Sequence, residues 1–182
     1  MFHLEFNVKN AMLLLFAAAL TVVGCNSEGK NSSGNDGSIH AENTGESPKA
    51  QFKDPRVSAV YNHYLHVKDA LVQADSKEAQ LGSAALKAAL KQINSSEGAA
   101  AAEKITRTAD LAAQRASFNS LTREIEAVLK KSPVTRGEVF KQYCPMANEG
   151  DGGYWFSNDR SIRNPYYGDE MLDCGEVKEV IR

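Results

Sequence analysis

Four sulfur-bearing side chains fall into two short clusters near the carboxyl end. Cys144 and Met146 flank Pro145, and Met171 stands three residues before Cys174. Met1, Met12 and Cys25 are the other sulfur residues of the 182-residue chain. Thiolate and thioether are soft donors that select Cu(I) over hard cations. Cys144, Met146, Met171 and Cys174 therefore form a candidate Cu(I)-type metal site. Cys144 and Cys174 are equally a candidate disulfide. Such a bond would stabilise the fold by about 3–4 kcal/mol in the loop-entropy account, with the methionines as packing residues beside it. Pro145 limits the backbone between the first pair, and Gly175 permits a tight approach after the second.

Other chemistry has less support. The chain lacks a GxSxG elbow, an HExxH helix and a phosphate-cradling glycine loop, so no enzymatic activity is expected. A cysteine nucleophile would need a histidine base, and His63 and His66 lie far upstream. Those two histidines are three apart and share one side of a helix, turned from its apolar stripe. They suit an auxiliary metal or proton site, or two solvated side chains. His40 sits alone among linker residues. Tyr154, Trp155, Tyr166 and Tyr167 are either a binding face or the core of a small β unit. The 21 basic and 23 acidic residues form no stripe of one sign, which excludes sequence-independent nucleic-acid binding.

The elements that must position the sulfur clusters read as mainly α. Asp54-Pro55 suits a helix start, and Val57, Val60, Tyr61, Tyr64, Val67 and Leu71 recur at helical spacing to about Ala74. Asp75 with Glu78 resembles a capping box ahead of Leu86, Ala89, Leu90 and Ile93. A break is expected at Asn94-Ser95-Ser96-Glu97-Gly98, then an alanine-rich helix from Ala99 to about Ala109. Asp110 caps a fourth helix, carrying Phe118, Leu121, Ile125 and Val128, that Ser132-Pro133 stops. Short connections predict a four-helix up-and-down bundle over 54–131. Residues 132–182 hold six of the 13 glycines and seven of the 14 aromatics. Val139–Cys144 and Gly153–Ser157 read as two strands joined by a turn at Asn148–Gly152, giving a small C-terminal β-hairpin unit packed on the bundle.

The first third reads as targeting and tether. Residues 11–23 form an apolar run too short to span a bilayer, with Lys9 before it and Gly24-Cys25 after it. Val22-Val23-Gly24-Cys25 resembles the bacterial lipobox, which implies a signal peptide over 1–24 and a lipidated Cys25. Half of residues 26–51 are Gly, Ser or Asn, a composition that buries too little apolar surface to offset its ordering entropy. A flexible tether over 25–53 is the expectation. Outside the cytoplasm thiols tend to oxidise, which favours the disulfide reading.

Tyr143-Cys-Pro-Met-Ala147, Trp155-Phe-Ser157, Ile162-Arg-Asn-Pro-Tyr-Tyr-Gly168 and Met171-Leu-Asp-Cys-Gly175 resemble a bacterial domain-of-unknown-function family of envelope proteins. Tyr64-Leu-His-Val-Lys-Asp-Ala-Leu71 and Gln114-Arg-Ala-Ser-Phe118 extend the likeness to roughly residues 55–180. The family also occurs at the ends of copper/silver efflux periplasmic adaptors. Cys-Pro-Met is similar to the Cys-Pro-Met-His segment of copper transporters, with Ala147 where that segment has histidine. The resemblance implies an envelope lipoprotein, lipid-anchored to a bacterial membrane and facing the periplasm or exterior. It also implies a copper-binding accessory to metal efflux or homeostasis, with an efflux adaptor as partner. The alternative expectation is a disulfide-stapled protein-interaction module with no metal.

Overall fold

The computed structural model describes residues 48–182. The expected signal peptide, Cys25, His40 and the tether as far as residue 47 lie outside them. In chain order the elements are β1 (Gln51–Phe52), α1 (Pro55–Val72), α2 (Ser76–Gln92), α3 (Ser96–Thr106) and α4 (Leu111–Leu129). They continue with β2 (Val134–Arg136), β3 (Val139–Cys144), β4 (Gly153–Ser157) and β5 (Glu176–Ile181). The fold is mainly α, a four-helix bundle with a C-terminal antiparallel region.

Local chemistry explains the helix starts. Asp54, Asp75 and Asp110 each accept a backbone N–H in the first turn, from Arg56, Glu78 and Ala112 at 2.9–3.0 Å. The capping box at α2 is only half made, because the Glu78 carboxylate turns instead to His66. Each helix packs on the next, and α4 returns to α1. Arg115 of α4 donates to the Leu71 carbonyl at 3.1 Å, giving the C-terminus of α1 the cation its own last turn lacks.

The break between α2 and α3 is shorter than expected, since Ser96, Glu97 and Gly98 are helical. Ser95 takes the cap position and Glu97 places a negative charge in the first turn, where the helix dipole favours it. Gly98 is tolerated because it packs closely: a Cβ there would stand 3.1 Å from Leu90. The same helix ends at Thr106, ahead of the expected Ala109, and Thr108 accepts the Asp110 N–H in the turn that follows.

The tether boundary also moves. Ala50 and Phe52 are buried and β1 pairs with β2, so the folded chain starts before residue 54. Backbone hydrogen bonds to Asn158, Ser58 and Pro133 hold this segment, and Phe52 meets Tyr61 edge-on.

The C-terminal unit is more than a hairpin. β3 is the centre of a three-stranded antiparallel sheet in the order β4-β3-β5. Tyr143 pairs with Tyr154 on one side and Glu176 on the other. A run of aromatic contacts joins this sheet to the bundle. Tyr64 stacks on Phe118 at 5.3 Å and meets Phe156 edge-on; Phe118 meets Tyr166, which meets Trp155. Among the described residues no helix is long and apolar enough to cross a membrane.

Candidate functional site

The two cysteines meet. Cys144 ends β3 and is fully buried; Cys174 is half-buried, two residues before β5. Their sulfurs stand 2.6 Å apart although 30 positions separate them in the chain. Both are free thiols. The hydrogen bond with Cys144, helped by burial, pushes the Cys174 thiol up to about 11. A shared proton of this kind disfavours the thiolate.

The convergence depends on a covering segment, residues 158–175, laid over the Gln142/Cys144/Trp155 face of the sheet. Gln142 is buried in β3, and its Nε2 donates to the carbonyls of Asp159, Arg160 and Ser161 at 2.9–3.2 Å. Asn164 is fully buried and serves the segment four times, its carbonyl accepting the Gly168 N–H. Its N–H reaches the Leu172 carbonyl, its Nδ2 donates to the Cys174 carbonyl, and its Oδ1 accepts the Tyr166 N–H. Gly175 adopts φ 147°, and a Cβ there would lie 2.8 Å from Trp155 and 3.0 Å from the Tyr143 carbonyl. The small residue after Cys174 thus lets the chain press against β3 and β4. Sequence analysis places Asn164 only within the Ile162–Gly168 motif and does not mark Gln142, because the burial that makes their amides matter belongs to the fold.

The methionines lie nearer the surface than Cys144. Met146 is 52% exposed, and only its carbonyl is engaged, by the Tyr167 hydroxyl. Met171 is half-buried at the end of a short 3-10 turn, Gly168–Glu170. Among the described residues no hydrogen bond links either thioether to a thiol. The contact seen between the two sulfur clusters is the one between Cys144 and Cys174.

The remaining candidates separate. His66 Nε2 pairs with Glu78 Oε1 at 2.6 Å on a half-exposed surface, and His63 stands without a share in that contact. Among the described residues no three His, Cys, Asp or Glu side chains gather as a metal group. Of the four aromatics, Trp155 and Tyr166 are core residues, so a face built on all four does not exist. Burial raises the Tyr166 hydroxyl well above its ordinary value, and the hydroxyl donates to the Tyr154 carbonyl at 2.7 Å. Tyr154, 39% exposed, lies beside Tyr143 with their rings 4.5 Å apart. Lys141 and Lys178 approach these rings as cation–π partners. In the turn at Asn148–Gly152, Asn148 and Glu149 both take left-handed backbone, and Asn148 Nδ2 closes it on the Gly152 carbonyl.

Two polar contacts add to the aromatic run that fixes the cysteine unit to the bundle. Tyr64 Oη accepts the Phe156 N–H at 3.2 Å and shares a hydrogen bond with Thr122 Oγ1 at 2.9 Å. Lys141 of β3 reaches Glu126 of α4 at 2.9 Å. Burial alone would raise the Glu126 carboxyl, but hydrogen bonds from Lys130 and Lys141 outweigh it and hold the group low.

Residues 60–137 match the model of a family described as Protein of unknown function (DUF3347). The match covers most of the bundle and β2 and ends before β3, a shorter span than the motifs suggest. All four sulfur residues fall beyond it. No curated protein and no solved structure matches the chain.

Proposed function

We propose that this chain is a lipid-tethered envelope protein whose folded domain is a binding module braced by a Cys144–Cys174 disulfide. The 2.6 Å contact between the two thiols carries the reading. Closing to the ~2.05 Å of a covalent bond needs only a small movement. Oxidation takes one proton and one electron from each thiol and joins the sulfurs. The two electrons pass to a disulfide oxidant of the kind that oxidising compartments supply. The tether rests on the lipobox-like Val22–Cys25 and the Gly/Ser-rich stretch after it. The cross-link would hold the covering segment on the sheet and leave Tyr154 and its lysine neighbours outward for a protein partner.

A second reading, capture of a Cu(I)-type ion by the reduced pair, is favoured by the half-buried Cys174 and by exposed Met146, two residues after Cys144 in the chain. In that reading a heavy-metal efflux adaptor is the partner. A tetrahedral metal at about 2.3 Å from each sulfur holds them about 3.8 Å apart, so metal capture competes with disulfide closure.

Comparing the oxidised and reduced full chain tests both readings. The first predicts that reduction lowers stability by about 3–4 kcal/mol, an effect absent from the Cys144→Ser/Cys174→Ser protein. Identical stability in both redox states would overturn it. The second predicts that reduced protein takes one Cu(I) from a competing chelator and that the double variant does not. Met146→Leu and Met171→Leu then separate thioether donation from packing, because leucine keeps the approximate volume.

A further inference from the structure

A polar cleft of about 750 Å3 lies between α1 and the segment following β4, apart from the cysteine pair. His66, Lys68 and Asp69 of α1 line it, with Asp159 and Arg163 of the segment and Lys49 ahead of β1. Lys68 is the unusual member. Its side chain is only 7% exposed, and its Nζ meets Asp69 Oδ1 at 2.6 Å. An ammonium has three donors, and burying one is unfavourable unless its donors are used. Asp69 is the only partner Lys68 has among the described residues.

Lys49 and Arg163 are exposed and make no ion pair among the described residues. Two unpaired cations and a partly used buried ammonium therefore face one space. The carboxylates limit what can enter. One Asp159 oxygen accepts the Ser161 N–H, and the other has no hydrogen-bond partner among the described residues. A bare anion would be repelled there, whereas a ligand with hydroxyl groups would donate to it. His66 is tied to Glu78, so its ring edge is fixed. The volume falls in the range of small-molecule sites and is far larger than one phosphate group requires.

We propose that this cleft binds a small dianion bearing hydroxyl groups, the chemistry shared by polyol phosphomonoesters and hydroxy-dicarboxylates. Its anionic oxygens take Lys68, Lys49 and Arg163, and its hydroxyls donate to Asp159 and Asp69. The proposal is independent of the redox state of the cysteines.

Calorimetric titration of the full chain tests it, with glycerol 1-phosphate, malate and uncharged glycerol as separate probes. At least one of the two anions binds, which one binds assigns the source, and glycerol does not. Lys49→Gln/Arg163→Gln alters two exposed side chains and spares the fold; it should weaken anion binding about tenfold or more, as expected for lost charge-assisted hydrogen bonds. Lys68→Met should weaken it further. The proposal is overturned if neither anion binds into the millimolar range, if glycerol binds equally well, or if the double variant binds as tightly as the parent.

Discussion

The helical bundle and the C-terminal unit are held by different kinds of contact. In the bundle, three of the four helices begin at an aspartate cap, and each packs on its neighbour in the chain, through Leu86, Leu90, Ala102, Ile105 and Leu121. In the C-terminal unit, strand β3 takes one partner from the next hairpin and the other from the end of the chain. A buried amide on each side then holds the covering segment down. The first arrangement is local and redundant. The second closes long loops, so its ordering entropy must be offset by a few specific contacts. A cross-link has most to contribute in such a place.

Variants can break this contrast because the two regions have separate reporters. Trp155, the one tryptophan, is buried in the C-terminal unit, while far-ultraviolet circular dichroism follows the helices. The largest effect is expected from Phe118→Ala. Phe118 is fully buried and touches both Tyr64 and Tyr166, so its loss should cost about 3–5 kcal/mol. Both reporters should shift together, since the ring belongs to both regions. A shift in the helical signal alone would show that the aromatic run does not couple them.

Tyr64→Phe sharpens the comparison by keeping the ring and deleting the hydroxyl. The buried Phe156 N–H then loses its acceptor and Thr122 its partner, at about 1–3 kcal/mol. Tryptophan fluorescence should report loosening of β4 before the helices melt. Coincident, unshifted transitions would remove Tyr64 from the coupling.

The smallest effect concerns pH and only the reduced protein. The Cys174 thiol is pushed from about 9 to about 11 in the folded state. Its contribution to stability is therefore complete below pH 9 and is lost as pH rises towards 11. Solvent screening reduces its size at this half-buried position. Reduced protein should lose stability across that window, as followed by denaturant titration, and oxidised protein should not. A flat profile for the reduced chain would contradict the shared proton.

The bundle was legible because helical periodicity and Asp54, Asp75 and Asp110 act within a few residues of themselves. β3 and β4 were legible for a similar reason, since a glycine-rich turn sits between two aromatic runs. β5 was not. Glu176–Ile181 is short and half charged, and becomes a strand only because β3 offers it an edge. β1 was hidden in the same way, as two residues at the end of a Gly/Ser/Asn-rich stretch that need β2. At the candidate site, residue type alone gathered Cys144, Met146, Met171 and Cys174, but not which of them converge. That depends on Gln142, Asn164 and the close approach at Gly175, none of which has a periodic signature.

The central claim is that Cys144 and Cys174 close the covering segment onto the sheet as a covalent pair. Trapping free thiols with an alkylating reagent in intact cells that make the full chain, followed by peptide mass analysis, tests it most directly. The account predicts a cross-linked pair of peptides, one containing Cys144 and the other Cys174, with both residues protected from the reagent until a reductant is added. Recovery of both cysteines alkylated without reduction would contradict it.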